Sequence, residues 1–432
     1  MSQPPSPTQS PAARSIPVPA SDHKGLDHWL RKRVLMRLVG LKQAGLTIRD
    51  PVGTTRLGQP GAELQAEVIV HDMRFWRLLA TGGSVGAAEA YMAGLWDTSD
   101  PVAVVRVLAR NRNVLPELER GGARIANVLL GFWHAYNRNS LNGSRRNISA
   151  HYDLGNEFFA TWLDERMMYS SALYLQADDG LEQAQLNKLD RICRKLDLGG
   201  EDHLLEIGTG WGGLAIHAAE HYGCRVTTTT ISQAQYEYAC DSVRRAGLGD
   251  RITVLLRDYR DLDGQYDKLV SVEMIEAVGH HYLDTYLGTI DRLLKPEGLA
   301  LIQAITIEDN RYREALGNID FIKRYIFPGS FIPSVSAITA SMARATRLGL
   351  VELADFGASY ALTIKSWRER FEAAWESISE MGFDQTFRRR WRWYLAYCEG
   401  GFRERAISDV HLLLAGPDWR QRAEVGLSGG VE

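Results

Sequence analysis

Cysteine is scarce in this chain of 432 residues: Cys193, Cys224, Cys240 and Cys398 are the only four, scattered without metal-ligand spacing. The scatter gives no metal centre, and reduced, buried thiols suit a cytosolic protein. Net charge is nearly absent too, at -3, which gives no support to nucleic-acid binding and leaves only a local basic patch to meet an anionic surface. No apolar run reaches the length needed to span a bilayer, and the proline-rich start lacks the apolar segment of a signal peptide. Contact with lipid is therefore expected to be peripheral.

What is present suffices for a sizeable core. With 45% hydrophobic and 24% charged residues, the chain has material for two domains, or for one large domain with an annex. Residues 1–21, with six prolines and little to pack, read as a disordered tail. An amphipathic helix follows, with Leu26, Trp29, Leu30, Val34 and Leu38 as apolar residues and Lys24, Arg31, Lys32 and Arg37 as basic ones. It suits either docking on its own domain or contact with anionic lipid. Strand character at 63–70 and helical patterns at 75–79, 85–93 and 101–108 complete an N-terminal module over 22–137, mostly helical with short strands. A helix at 123–136 and a polar, basic linker at 137–147 end it.

The pattern then changes to βα alternation. Helices are expected near 181–196, 232–246 and 281–293, and strands near 204–208, 225–229, 252–256, 268–272 and 299–305. Such an order builds a mostly parallel sheet covered by helices on both faces, with its ligand at the C-terminal strand ends. Helices near 310–325, 337–348 and 367–378 follow. A last helix sets Arg388, Arg389, Arg390 and Arg392 beside Trp391, Trp393, Tyr394 and Tyr397, a face for phosphate head groups or a solvated surface over packed rings. The chain frays over 426–432.

The stretch Leu204-Leu205-Glu206-Ile207-Gly208-Thr209-Gly210-Trp211-Gly212-Gly213-Leu214-Ala215 reads as strand, tight turn and helix start. Glycines there permit positive φ and let backbone N–H groups approach a ligand at the helix N-terminus. The next strand ends in threonines, not in the acidic residue that holds the ribose of NAD. S-adenosylmethionine, another nucleotide and a purely structural turn all remain open on this pattern alone. Glu206, awkward in an apolar strand, is expected to bond a nearby loop or ligand. His151-Tyr152-Asp153-Leu154-Gly155-Asn156-Glu157-Phe158-Phe159 mixes polar groups with rings that favour burial, as a lid over a cofactor or an internal cap would.

Several segments together carry a family resemblance: 147–159, Tyr169-Ser170-Ser171-Ala172, 204–215, Tyr325-Ile326-Phe327-Pro328 and Phe356-Gly357-Ala358-Ser359-Tyr360. From about 91 to 402 the chain resembles the cyclopropane-fatty-acyl-phospholipid synthases, which include the mycolic acid cyclopropane synthases and related lipid C-methyltransferases. The resemblance implies an α/β, Rossmann-like class I S-adenosylmethionine-dependent methyltransferase with a mostly parallel seven-stranded sheet, its catalytic domain over 138–425 carrying helical lid insertions. It implies S-adenosylmethionine as cofactor, held by Glu206, Gly208, Gly210, Thr230 and Gln235, by Tyr259 at the adenine, and by Tyr169 and Ser170 near the methionine moiety. The implied reaction moves the methyl carbon to the cis double bond of unsaturated phospholipid acyl chains, and removal of a proton from that methyl closes a cyclopropane ring. C-methylation without ring closure, methylation of another small hydrophobic molecule and non-catalytic lipid binding stand as alternatives.

Ring-forming relatives hold a bicarbonate in a small polar nest. Glu276 matches its acidic member, Tyr360 a tyrosine member and Ile305 a neighbour that contributes backbone. Two positions depart from the pattern: Ser171 replaces a cysteine and Gln303 a histidine. Both can donate hydrogen bonds to bicarbonate, but Gln303 cannot titrate, so the base is bicarbonate or a carboxylate such as Glu276 or Glu308. Ser171, Glu276, Gln303 and Tyr360 are the expected catalytic residues. No metal is expected, His280 and His281 reading as a helix-start pair. The implied setting is the cytoplasm, at the inner membrane face, with an anionic surface and a homodimer as candidate partners.

Overall fold

The computed structural model describes residues 24–112 and 154–420. The expected tails at 1–21 and 426–432, the helix at 123–136, the linker at 137–147, the module boundary at 137/138 and His151 to Asp153 of the mixed polar-aromatic stretch lie outside the described residues.

The N-terminal module begins with helix α1 (Lys24–Leu38), which buries Val34 and Leu38 and leaves Leu26 and Trp29 exposed. Strands β1 (Gly45–Asp50), β2 (Gly53–Gly58), β3 (Gln65–Val70) and β4 (Trp96–Asp97) form a mixed sheet in the order β2-β1-β3-β4. Of these only β3 was expected; β2 is largely exposed and β4 is two residues long, so neither shows the alternation that marks a half-buried strand. The expected helices at 75–79 and 85–93 are the two halves of α2 (Arg74–Met92), which breaks at Gly83 (φ 55°, ψ -136°). Helix α3 (Pro101–Arg110) starts on a proline, and the Asp100 side chain accepts from the Ala103 N–H, so a spare N–H and a missing one are both accounted for.

After the module come α4 (Asn156–Ala160), α5 (Leu181–Lys195), β5 (His203–Ile207), α6 (Gly213–Tyr222), β6 (Arg225–Thr230), α7 (Gln233–Arg245), β7 (Ile252–Leu256), β8 (Tyr266–Val272), α8 (Ile275–Val278), α9 (Leu283–Leu293) and β9 (Leu294–Ile307). Helices α10 (Asp309–Gly317), α11 (Phe321–Tyr325) and α12 (Val335–Ala345), strand β10 (Gly349–Asp355), helices α13 (Gly357–Ala373), α14 (Trp375–Glu380) and α15 (Gln385–Arg403), and strand β11 (Ile407–Ala415) follow. The seven-stranded sheet has the order β10-β11-β9-β8-β5-β6-β7, with only β11 antiparallel to its neighbours. This is the expected Rossmann-like, mostly parallel sheet.

Neighbouring residues on the central strands face opposite sides, as a pleated strand requires. Leu204, Leu301 and Leu413 pack in one apolar cluster, and Leu205, Ile302 and Leu412 in the other. A third cluster joins the module to the catalytic domain, taking Trp76, Tyr91 and Trp96 from the module and Trp162, Trp367, Trp391 and Trp393 from the helices beyond the sheet. Polar bonds lock the same junction. Arg389 reaches Asp97 (2.8 Å) and the Trp96 carbonyl (2.8 Å), Arg106 and Arg110 share Glu404, and the Tyr325 hydroxyl donates to Glu89 (2.7 Å). Arg388 meets Glu372 at 2.7 Å. Arg388 and Arg389 of α15 are thus committed to holding the helix and the module in place, which leaves less of this face for phosphate than the sequence pattern suggests.

Candidate active site

A cavity of about 650 Å³ opens at the C-terminal ends of β5, β6, β8 and β9 and runs on into the N-terminal module. That end of a doubly wound sheet is where ligands bind, because the strand order reverses there and the loops diverge.

One end is built by the glycine turn after β5. Gly208, Gly210 and Gly212 all have positive φ (102°, 54° and 93°), a conformation that costs other residues strain. A Cβ at Gly208 would meet Met274 at ordinary contact distance and one at Gly210 would meet nothing, so the turn leaves room for a ligand against its backbone. Glu206 accepts the Thr228 hydroxyl at 2.6 Å, and Thr228 lies 2.7 Å from the Thr209 hydroxyl, a short network that fixes the turn. Burial pushes the Glu206 carboxyl up to about 8. At the end of β6, Thr230 donates to Gln235 Oε1 (3.0 Å), and α7 is capped by Ser232. Tyr259 lines the same wall, its ring edge-on to Tyr286 at 5.7 Å, beneath the Arg260 guanidinium. A flat ring and a backbone cradle are the groups that would hold a nucleoside with an amino-acid tail.

The middle of the cavity carries the charged chemistry. Tyr169, Ser170, Glu276, Ile305 and Tyr360 line it as expected positions. Tyr169 and Tyr394 bring their hydroxyls to 2.8 Å, and Ser170 Oγ accepts from the buried Lys188 ammonium at 2.8 Å. Glu276 Oε1 accepts the Ile305 N–H at 2.6 Å, while its buried Oε2 has no partner among the described residues. Burial, then the neighbouring Glu273, pushes this carboxyl up to about 8, so it is mostly protonated at neutral pH.

Ser171 and Gln303 stand elsewhere. Both are fully buried behind the cavity wall, and both serve Glu273, a residue that sequence reasoning passed over. Glu273 Oε1 accepts the Ser171 N–H (2.7 Å) and Gln303 Nε2 (2.8 Å), and Oε2 accepts the Tyr360 hydroxyl (2.6 Å). Gln303 Nε2 also donates to Asp409 (2.9 Å), and its Oε1 lies 3.2 Å from His411 Nε2. Burial raises Asp409 well above its ordinary value and lowers His411 well below the usual histidine value. Glu308, at the rim, pairs with Arg112 at 2.6 Å. One signal could have exposed Glu273: a second carboxylate three residues before Glu276 at the same strand end.

Bicarbonate does not fit this arrangement. Four of the five expected nest members direct a hydrogen-bonding group at a carboxylate of the chain: Ser171, Gln303 and Tyr360 at Glu273, and the Ile305 N–H at Glu276. The remaining hydroxyl, of Ser171, donates to the Ala172 carbonyl at 3.0 Å.

The third part of the cavity is apolar and comes from the module. Leu46 and Ile48 of β1, Val68 of β3, Leu79 of α2, and Val104 and Leu108 of α3 line it. Arg112 and Arg311 stand on its wall as well.

Comparison with known proteins fits this geometry. Residues 139–412 match the family model of mycolic acid cyclopropane synthetase. The chain is 39% identical over 334 residues to the tuberculostearic acid methyltransferase of Mycobacterium tuberculosis, covering 76% of this chain and 78% of that one. It is 39% identical over 345 residues to the cyclopropane-fatty-acyl-phospholipid synthase of Escherichia coli, covering 79% and 86%. Among solved structures, a mycolic acid cyclopropane synthase complexed with SAH and CTAB superposes with a TM-score of 0.59 at 27% identity, over 63% of this chain and 98% of the other. The match brings with it the class I methyltransferase fold.

Proposed function

The chain belongs to the mycolic acid cyclopropane synthetase family of S-adenosylmethionine-dependent methyltransferases, and from that premise we propose that it closes a cyclopropane ring on the cis double bond of an unsaturated phospholipid acyl chain. Methylation of an unsaturated lipid acyl chain is the common ground of its relatives. The observation that carries the reading is one continuous cavity with a nucleoside cradle at one end, an apolar arm at the other and two carboxylates between them.

S-adenosylmethionine supplies an electrophilic methyl group. In this reading Glu206, Gly208, Gly210, Thr230, Gln235 and Tyr259 hold its nucleoside, and Tyr169 and Ser170 border its amino-acid end. The chain's own task is then to hold the alkene in line with the methyl, keep water from the cation that follows and remove one proton. Tyr360 and Tyr394 line the middle of the cavity, and aromatic rings there would stabilise positive charge. Exposed Leu26, Trp29 and Met36 on α1 form the face by which the module would meet a membrane.

A second reading, methyl transfer without ring closure, is favoured by Gln303, which cannot titrate where a histidine was expected. Cofactor with a trideuterated methyl separates the two. The ring retains two donor deuteriums and shows cyclopropane protons by NMR, whereas a saturated methyl branch retains three. Retention of three throughout overturns ring closure, and no label in lipid overturns both readings.

A further inference from the structure

The failure of bicarbonate to fit raises the question of what removes the proton. We propose that Glu273 is the resident base that takes it from the transferred methyl group, so that the reaction needs no added anion. This rests on the ring-closing reading above, which the count of retained deuteriums tests separately.

The argument starts from the contrast between the two carboxylates of one strand end. Glu276 accepts the Ile305 N–H and a backbone N–H of its own, its Oε2 has no partner among the described residues, and it is mostly protonated at neutral pH, so it can orient a group but not accept a proton. Glu273 receives three donors, from Ser171, Gln303 and Tyr360. Burial raises this carboxyl, and the hydrogen bonds to its charged form, that of Tyr360 first, together with the positive charge of buried Lys188, oppose the rise. An ionised carboxylate offers about four acceptor sites, two on each oxygen. Among the described residues, both sites on Oε1 are filled and one on Oε2, which leaves one site on Oε2 of a residue that lines the cavity.

The backbone supports the same assignment. Glu273 has φ 47°, a left-handed conformation uncommon outside glycine, which is retained where surrounding structure over-determines it and which clusters at functional sites. The Glu273 N–H donates to the Gln303 carbonyl at 2.9 Å, so side chain and backbone of Gln303 both fix this residue. Ser171 and Gln303 are accordingly positioning residues that act through Glu273.

The step balances as follows. The alkene π pair forms a bond to the methyl carbon, and the carbon–sulfur bond breaks with its pair going to sulfur. The neighbouring alkene carbon is left cationic. A C–H pair of the transferred methyl then closes the bond to that carbon, and the proton goes to Glu273 Oε2, leaving when the product departs and water enters.

The test assays methyl transfer from labelled cofactor to unsaturated phospholipid vesicles in carbon-dioxide-free buffer, with and without bicarbonate. Wild type is expected to turn over at the same rate in both. Glu273→Gln should lose about 100-fold or more of its turnover while binding S-adenosylhomocysteine as tightly as wild type by calorimetry. Glu273→Gly, which the positive φ accommodates, should be inactive alone and regain turnover with added bicarbonate. A wild type that requires bicarbonate, a Glu273→Gln variant within tenfold of wild type, or a glycine variant that bicarbonate fails to rescue would each overturn the assignment. A wild type that labels no lipid at all overturns the methyl-transfer reading instead.

Discussion

The two ends of the cavity are made by opposite means. At the nucleotide end the wall is backbone: three glycines with positive φ and a threonine network, drawn from one short stretch of chain and the two strands beside it. At the module end the wall is side chain, aliphatic groups from β1, β3, α2 and α3 that meet only because the module folds. A backbone wall fixes one ligand with directional bonds and tolerates little change. A side-chain wall measures volume and responds to substitution by degrees.

The largest effect is expected where the two ends meet. On the proposed assignment Glu276 orients the reacting groups, so Glu276→Leu, which removes both carboxyl oxygens, should lower product formation about 100-fold or more while leaving S-adenosylhomocysteine affinity within a few-fold of wild type. Calorimetry beside a turnover assay checks this; equal loss of binding and turnover would move Glu276 into the cradle and break the division.

Next comes the backbone end. Gly208→Val places a β-branched residue at φ 102° with its Cβ against Met274, and such strain costs about 1–3 kcal/mol, or roughly 5- to 150-fold in cofactor affinity if the turn shifts to relieve it. Acyl-chain preference should stay unchanged. A shift in chain preference would show that the ends are coupled.

The converse change sits in the arm. Ala87 lines the cavity, and Ala87→Phe fills part of it. Turnover of long acyl chains should fall about tenfold relative to short ones, since one or two displaced methylenes cost roughly 0.8 kcal/mol each, with cofactor binding intact. Competition between lipids of two chain lengths reads the ratio directly, and an unchanged ratio would exclude the arm as the acyl site.

The same contrast decides what the amino-acid sequence discloses. The glycine turn is local, so strand, turn and helix start are all legible between Glu206 and Leu214. Strands β5, β7, β8 and β9 are apolar enough to be read directly, and β6 is legible through its β-branched run from Val226 to Thr230. Strand β11 hides because Asp409 and His411 interrupt its apolar run, and their burial makes sense only once Gln303 is found beside them. Edge strand β10 hides because it is almost wholly exposed. The apolar arm has no motif at all, its residues being spread from Leu46 to Leu108. Glu273 was overlooked for a similar reason: its partners Ser171, Gln303 and Tyr360 are distant in the chain and are brought together by the fold.

The smallest effect concerns pH, and it too separates the ends, for the arm's aliphatic wall carries nothing that titrates near neutrality. Glu206 at the backbone end is raised by burial to about 8 from an ordinary value of 4.5. A carboxyl raised in the folded state contributes stability that is fully present below its unfolded value and is lost as pH rises through the folded one. Lys188 is lowered by burial to about 8, so its contribution changes mainly above that, and in the opposite sense, rising with pH. Between pH 6.5 and 8, Glu206→Gln keeps an acceptor for the Thr228 hydroxyl and removes the titration. Its melting temperature should therefore fall less steeply with pH than that of wild type, by on the order of several degrees across the window. Parallel slopes for the two proteins would mean that Glu206 is already ionised when folded, with its charge held by a partner other than Thr228.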